Sequence, residues 1–257
     1  TYGDDARVAT IGQSGENLSL ISGVCNDRGR IAARSGLGAV MGSKKLKALV
    51  LKGYKRIAPN NRDEMKRLSQ KANRWVKAGI PLWPGVVNAY MGWALGIAPV
   101  GMAMDGFLYK MLLKQWGTGS MNEMSVGMGD SPIKNWKGSS ADWGFSKSKS
   151  VNSYIFTRCE TVKYHCYSCP LGCGGICSLT GKYSETHKPE YETVLALGGL
   201  LMNEDVDSIF YLNELLNRAG MDTISAGGTV AYAIECYEQG ILTRDDTDGI
   251  ELTWGNA

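Results

Sequence analysis

The sequence predicts an α+β fold, in which the end of a β-rich unit (residues 1–58) is followed by a mainly helical one (residues 59–257). Three observations carry that reading. Two short apolar runs near the start flank a glycine-rich connection, the character changes to helical periodicity after "RIAPNN", and three helical segments, the last two with cap residues, run from Pro189 onward.

The first strands are "RVATIG" at 7–12 and "KALVL" at 47–51. From Arg62, apolar Met65, Leu68, Ala72, Trp75 and Val76 recur at helical spacing; Asn60 or Asn61 can cap the start and Gly79 ends it. The uncharged run from Ile80 to Met104 holds three prolines, which argues against a membrane span and for a buried or pocket-lining insertion with short helical pieces. Residues 111–145, rich in Gly, Ser, Trp and Met, read as an irregular loop. A helix is then expected from Pro189, a second over "NEDVDSIFYLNELLNRAG" with Asn203 as its cap, and a third over "DTISAGGTVAYAIECYEQG" between Asp222 and Gly240. There is no internal repeat.

Composition narrows the function. Hydrophobic residues are 44% and charged residues 21%, ordinary for a soluble globular chain. A net charge of +3 on scattered lysines gives no footprint for nucleic acid or an anionic membrane. The 33 glycines are nearly twice the usual share of about 7%. They suggest tight turns or backbone approaching a ligand. Seven cysteines and no secretory leader favour a reducing compartment, the cytoplasm, with liganding or buried thiols. The chain opens on Thr1 and stops at "ELTWGNA", as a piece of a longer polypeptide would.

The densest chemistry is "HCYSCPLGCGGIC", where Cys166, Cys169, Cys173 and Cys177 fall within twelve positions. Soft thiolates on a tight turn with Pro170, Gly172, Gly174 and Gly175 suit an iron–sulfur cluster. Zinc is the competing ligand, although zinc sites pair two knuckles across a longer loop, and four small core residues is the plain alternative. In "NDRGRIAARSGLGAVMGSKK", Gly29, Gly36, Gly38 and Gly42 alternate with Arg28, Arg30, Arg34, Lys44 and Lys45. This pattern fits either an anion seat or a glycine-rich turn with a solvated basic face. Glu190 and Glu192 flank Tyr191 at a helix start, where carboxylates serve the helix dipole or act as acid and base.

Together and in this order, "GRIAARSGLGAVMGSKKLKALVLKG", "CYSCPLGC", "PEYETV" and "NRAGMDTIS" resemble the tungsten-dependent aldehyde:ferredoxin oxidoreductase family over nearly the whole chain. The resemblance implies the end of a pterin-binding N-terminal domain followed by a helical domain that is incomplete at its C-terminal side. It implies tungsten (or molybdenum) held by two pyranopterins, Mg2+ bridging their phosphates, and a [4Fe–4S] cluster beside them. On that pattern the cluster ligands are Cys166, Cys169 and Cys173. The fourth lies past this chain, so Cys177 is not one of them. The phosphate segment corresponds to Arg30, Ile31, Ala33 and Arg34, then Gly36, Leu37 and Gly38. A D-x-x-G-L-D pterin motif falls on Asn217, Gly220, Met221 and Asp222, with Asn and Met replacing the family's first Asp and its Leu. Glu192 matches the carboxylate that assists proton transfer.

The activity so implied is oxidation of an aldehyde to a carboxylic acid. Electrons would pass to ferredoxin or a ferredoxin-like iron–sulfur subunit within a homo- or hetero-oligomer. A reductive member of the family, like the class II benzoyl-CoA reductases, is the nearest alternative. A non-catalytic iron–sulfur or zinc electron-transfer module is the third.

Overall fold

The computed structural model of the chain describes residues 3, 5–26, 29–79, 87, 90, 94 and 106–256. Arg28 and most of the Ile80–Met104 run lie outside the described residues.

The first unit is an antiparallel sheet of β1 (Arg7–Ile11), β2 (Val24–Asn26), β3 (Arg30–Ala32) and β4 (Ala48–Leu51), ordered β3-β2-β1-β4. The connection that reads as glycine-rich therefore contains two further strands. It also contains two short helices, α1 (Gln13–Glu16) and α2 (Leu37–Ser43). Three-residue strands are too short to show a period of two, which is why they escape the sequence pattern.

Helix α3 (Arg62–Lys77) begins where its periodicity predicts, and the Asn61 side chain accepts from the Glu64 amide. The expected loop at 111–145 is a correction. It holds α4 (Gly106–Trp116), a 3-10 turn (Thr118–Met121) and α5 (Asn122–Met128). Leu112, Trp116, Met124 and Val126 of this stretch are buried, so burial rather than propensity makes these helices. Two short helices, α6 (Phe145–Ser148) and α7 (Ser153–Arg158), follow.

Inside the helical body lies a second antiparallel sheet, β5 (Glu160–Tyr164), β6 (Gly174–Ser178) and β7 (Glu185–His187), in that order. Helix α8 (Tyr191–Leu197) is short and breaks at Gly198. Helix α9 (Val206–Ala219) is capped by Asp205, not Asn203; the Asn203 side chain instead accepts from the Asp205 amide. Helix α10 (Thr223–Glu238) starts on the predicted cap, Asp222. The main core joins Trp143, Val151, Phe156, Val194, Ile209 and Phe210. Among the described residues no helix is long and apolar enough to cross a membrane.

The two sheets are brought together by the α9–α10 turn, which docks on the β1–β2 segment. The Gly23 amide donates to the Gly220 carbonyl (2.8 Å), the Asp222 amide to the Ile21 carbonyl (2.9 Å) and the Ser14 hydroxyl to the Ala219 carbonyl (2.6 Å). Gly12 and Gly220 make this approach achievable. A Cβ on Gly12 would sit 2.2 Å from the Ala219 carbonyl oxygen, and Gly220 takes a positive φ of 74°.

Candidate functional site

That junction encloses a cavity of about 520 Å³. Asn26, Gly29, Arg30, Ile31, Ala32 and Ala33 line it from the first sheet. Gly174, Gly175, His187 and Lys188 come from the second, and Glu190, Glu192 and Thr193 from the start of α8. Asn213, Asn217, Met221, Asp222, Thr223 and Ile224 close it from α9 and α10.

Arg30 is its most worked residue. Its Nη1 donates to Glu190 Oε1 (2.9 Å), and the guanidinium lies over the Tyr164 ring, 5.0 Å from the centroid. Burial works against its charge, but the Glu190 carboxylate and the Cys166 and Cys173 thiols outweigh that and hold the guanidinium more firmly protonated. Its Nε is buried with no hydrogen-bond partner among the described residues. An anionic, hydrogen-bonding ligand would answer that orphaned N–H, so the donor set fits a phosphate or pterin group.

Asp222 is buried, and its carboxylate is engaged at home. It accepts from the Ile224 and Ser225 amides (both 3.3 Å) and from the Ser225 hydroxyl (2.5 Å), and Arg34 Nε stands 3.5 Å away. Asn217 lies one helical turn after Asn213, whose amide donates to Thr186 Oγ1 and the His187 carbonyl. The Thr193 and Thr223 hydroxyls are 2.8 Å apart. Glu192 receives the Tyr191 phenol, and that hydrogen bond is the main reason the phenol is pushed up to about 12.

The cysteine turn abuts the cavity through Gly174 and Gly175. The Cys169 amide donates to the Cys166 carbonyl (3.0 Å), and His165 Nδ1 lies 3.1 Å from the Cys169 carbonyl. Cys166 is exposed, Cys169 and Cys173 are half-buried, and Cys177 is fully buried on β6 within the main core. Burial pushes the Cys177 thiol up to about 12. Its place inside the main core separates Cys177 from the exposed Cys166 and the half-buried Cys169 and Cys173. Burial also raises the Cys173 thiol, with Glu190 adding to the rise and Arg30 opposing it. Among the described residues no three His, Cys, Asp or Glu side chains converge as a ready-made metal cage. In metal-binding turns the ion itself commonly completes that convergence.

The family model described as aldehyde ferredoxin oxidoreductase, N-terminal domain, matches residues 1–53, and that for domains 2 and 3 matches residues 104–257. The chain belongs to the aldehyde ferredoxin oxidoreductase family. The tungsten-containing aldehyde ferredoxin oxidoreductases of Thermococcus kodakarensis and Pyrococcus furiosus are 34% and 32% identical over 98% and 99% of the chain. An aliphatic sulfonate oxidoreductase WOR-like subunit of Pyrococcus furiosus is 30% identical over 96%. The chain spans about a third of the length of these relatives (36%, 37% and 35%). The solved active-site complex BamBC of benzoyl coenzyme A reductase shares the fold, with a TM-score of 0.70 at 24% identity over 96% of the chain and 34% of that structure.

Of the residues singled out in the sequence, this member of the aldehyde ferredoxin oxidoreductase family brings Arg30, Ile31, Ala33, Glu192, Asn217 and Asp222 to one cavity. Arg34 reaches its edge through Asp222, and Gly220 holds the turn behind it. Gly36, Leu37 and Gly38 do not line it. They open α2, with the Gly38 amide donating to the Ser22 carbonyl (3.1 Å) and Leu37 42% exposed. Cys166, Cys169 and Cys173 form the adjoining turn. Sequence reasoning missed Lys188, Thr193, Asn213 and Thr223. Asn213 was the findable one, since it precedes Asn217 by four on a recognised helix.

Proposed function

We propose that this chain is the part of an aldehyde-oxidising enzyme that seats one side of a tungsten bis-pyranopterin and most of a [4Fe–4S] cluster. The observation that carries the reading is the shared cavity. It joins a buried arginine N–H donor from the strand side to the Asn217–Asp222 turn, beside a turn of one exposed and two half-buried thiols. When bound, the pterin-held metal supplies a two-electron acceptor for the aldehyde carbon, and the cluster a one-electron exit at low potential.

The chain's own residues bind, orient and handle protons. Arg30, Ile31 and the backbone through Ala33 would hold the cofactor's phosphate groups and their Mg2+. Asn217 and the Asp222 turn offer hydrogen-bond acceptors to pterin N–H groups. Glu192 stands in the cavity with a carboxylate able to take the proton released at the substrate carbon, and the Tyr191 hydroxyl steadies it. Cys166, Cys169 and Cys173 ligate the cluster, which needs a fourth ligand from elsewhere. Ferredoxin or a ferredoxin-like subunit is the proposed acceptor, and the cytoplasm the proposed setting. The division near residue 58, between the end of β4 and the start of α3, separates the two proposed domains.

Aldehyde-dependent reduction of a viologen dye by the purified full-length protein is expected. Asp222→Ala is expected to lose bound pterin, together with about 1 kcal/mol of helix capping. No aldehyde-dependent dye reduction, together with oxidation of the reduced dye when an aryl-CoA thioester is supplied, would favour the reductive reading, and full pterin occupancy in Asp222→Ala would remove Asp222 from the site.

A further inference from the structure

Glu190 is fixed at both oxygens. Oε1 accepts from Arg30 Nη1 at 2.9 Å, and Oε2 accepts from the Thr118 hydroxyl, which itself accepts from the Tyr191 amide at 3.2 Å. One carboxylate thereby ties β3, the 3-10 turn after α4 and the start of α8. The guanidinium it holds is wedged against the peptide that follows Cys173. A Cβ on residue 174 would meet Arg30 Nη2 at 2.7 Å, so any larger residue there would push the guanidinium from its present seat.

We infer that Glu190 is a positioning residue that locks the Arg30 guanidinium against the cysteine turn, and that this ion pair sets the reduction potential of the cluster held on that turn. The inference rests on the proposed cluster at Cys166, Cys169 and Cys173. Its physical basis is Coulombic. A cluster gains one negative charge on reduction, so a nearby cation eases reduction and a nearby anion opposes it. Both charges lie at the turn, since Arg30 Nη2 stands against the Gly174 backbone that follows Cys173 and Glu190 holds that guanidinium at 2.9 Å. The potential therefore depends on the balance of the two charges, and removing either leaves the other to act with its own sign.

The test is an equilibrium dithionite titration of the full-length protein, following the cluster's electron paramagnetic resonance signal, with iron counted in every sample. Glu190→Gln keeps the shape and one acceptor while removing the negative charge, and is expected to shift the midpoint potential upward. Arg30→Gln leaves Glu190 unopposed and is expected to shift it downward. Retained iron with shifts of opposite sign supports the inference. Retained iron with an unchanged or lowered potential in Glu190→Gln overturns it while leaving the cluster reading intact. Loss of iron from Glu190→Gln also overturns it, because Glu190 would then be holding the turn together rather than tuning it. Glu190→Gln decides alone if Arg30→Gln fails to assemble a cluster. No iron in the unmodified protein would instead overturn the cluster reading itself.

Discussion

Replacing Lys188 by Met is expected to cost about 3–5 kcal/mol of stability, the usual cost of stripping one partner from a buried ion pair. Lys188 Nζ lies 2.5 Å from Glu160 Oε2 and donates to the Trp116 carbonyl at 3.3 Å; the Lys188 side chain is 3% exposed and that of Glu160 10%. The pair sits beneath the cysteine turn, where a Cβ on Gly175 would strike Glu160 Oε2 at 2.4 Å. Among the described residues, removing the ammonium leaves Glu160 only the more exposed Lys163, 3.4 Å away. The double variant Lys188→Met with Glu160→Leu should recover much of the loss, since neither charge is then stranded. Urea midpoints for the single and double variants check this. A single-variant loss below about 1 kcal/mol would mean that water already screens the pair.

A second large effect concerns Glu123, which is 2% exposed on α5 with neither carboxylate oxygen in hydrogen-bonding geometry with a partner among the described residues. Burial pushes its carboxyl up to about 8, and the nearby Asn152 side chain offsets only part of that. The native state therefore keeps a proton that the unfolded chain releases near pH 4.5. The sign follows: between about pH 5 and 8 the native form binds more protons, so stability falls as pH rises. At neutral pH the contribution is unfavourable and on the order of 3 kcal/mol. Glu123→Gln should flatten this slope, read as denaturation midpoints measured at intervals across that range. Parallel profiles for the two proteins would show that Glu123 ionises freely in the fold.

The long amphipathic helices were legible in the sequence because periodicity and caps agree locally. Asn61 and Asp222 cap α3 and α10 where the residues say they should. The α4–α5 region was not legible. Its glycines and serines suggest a loop, and only the tertiary burial of Trp116, Met124 and Val126 makes it helical. The second sheet was hidden for a related reason. Five- and three-residue strands run through the cysteine segment, where Cys177 packs as a core side chain. The cavity was half legible. Motif order marked Arg30, Glu192, Asn217 and Asp222, but chain order alone cannot show that Arg30 meets Glu190, 160 residues away. Nor can it show that the glycines of α2 serve packing, as Gly38 does against Ser22, rather than the cavity wall.

The central claim is that this chain builds one side of a metal–pterin site next to a three-thiol cluster turn. Metal analysis of the anaerobically purified full-length protein tests it most directly. Tungsten or molybdenum together with about four irons per chain is the predicted content for a pterin-held metal beside one cubane. Zinc in the absence of tungsten, molybdenum and iron would contradict it, and would reassign Cys166, Cys169 and Cys173 to a structural knuckle.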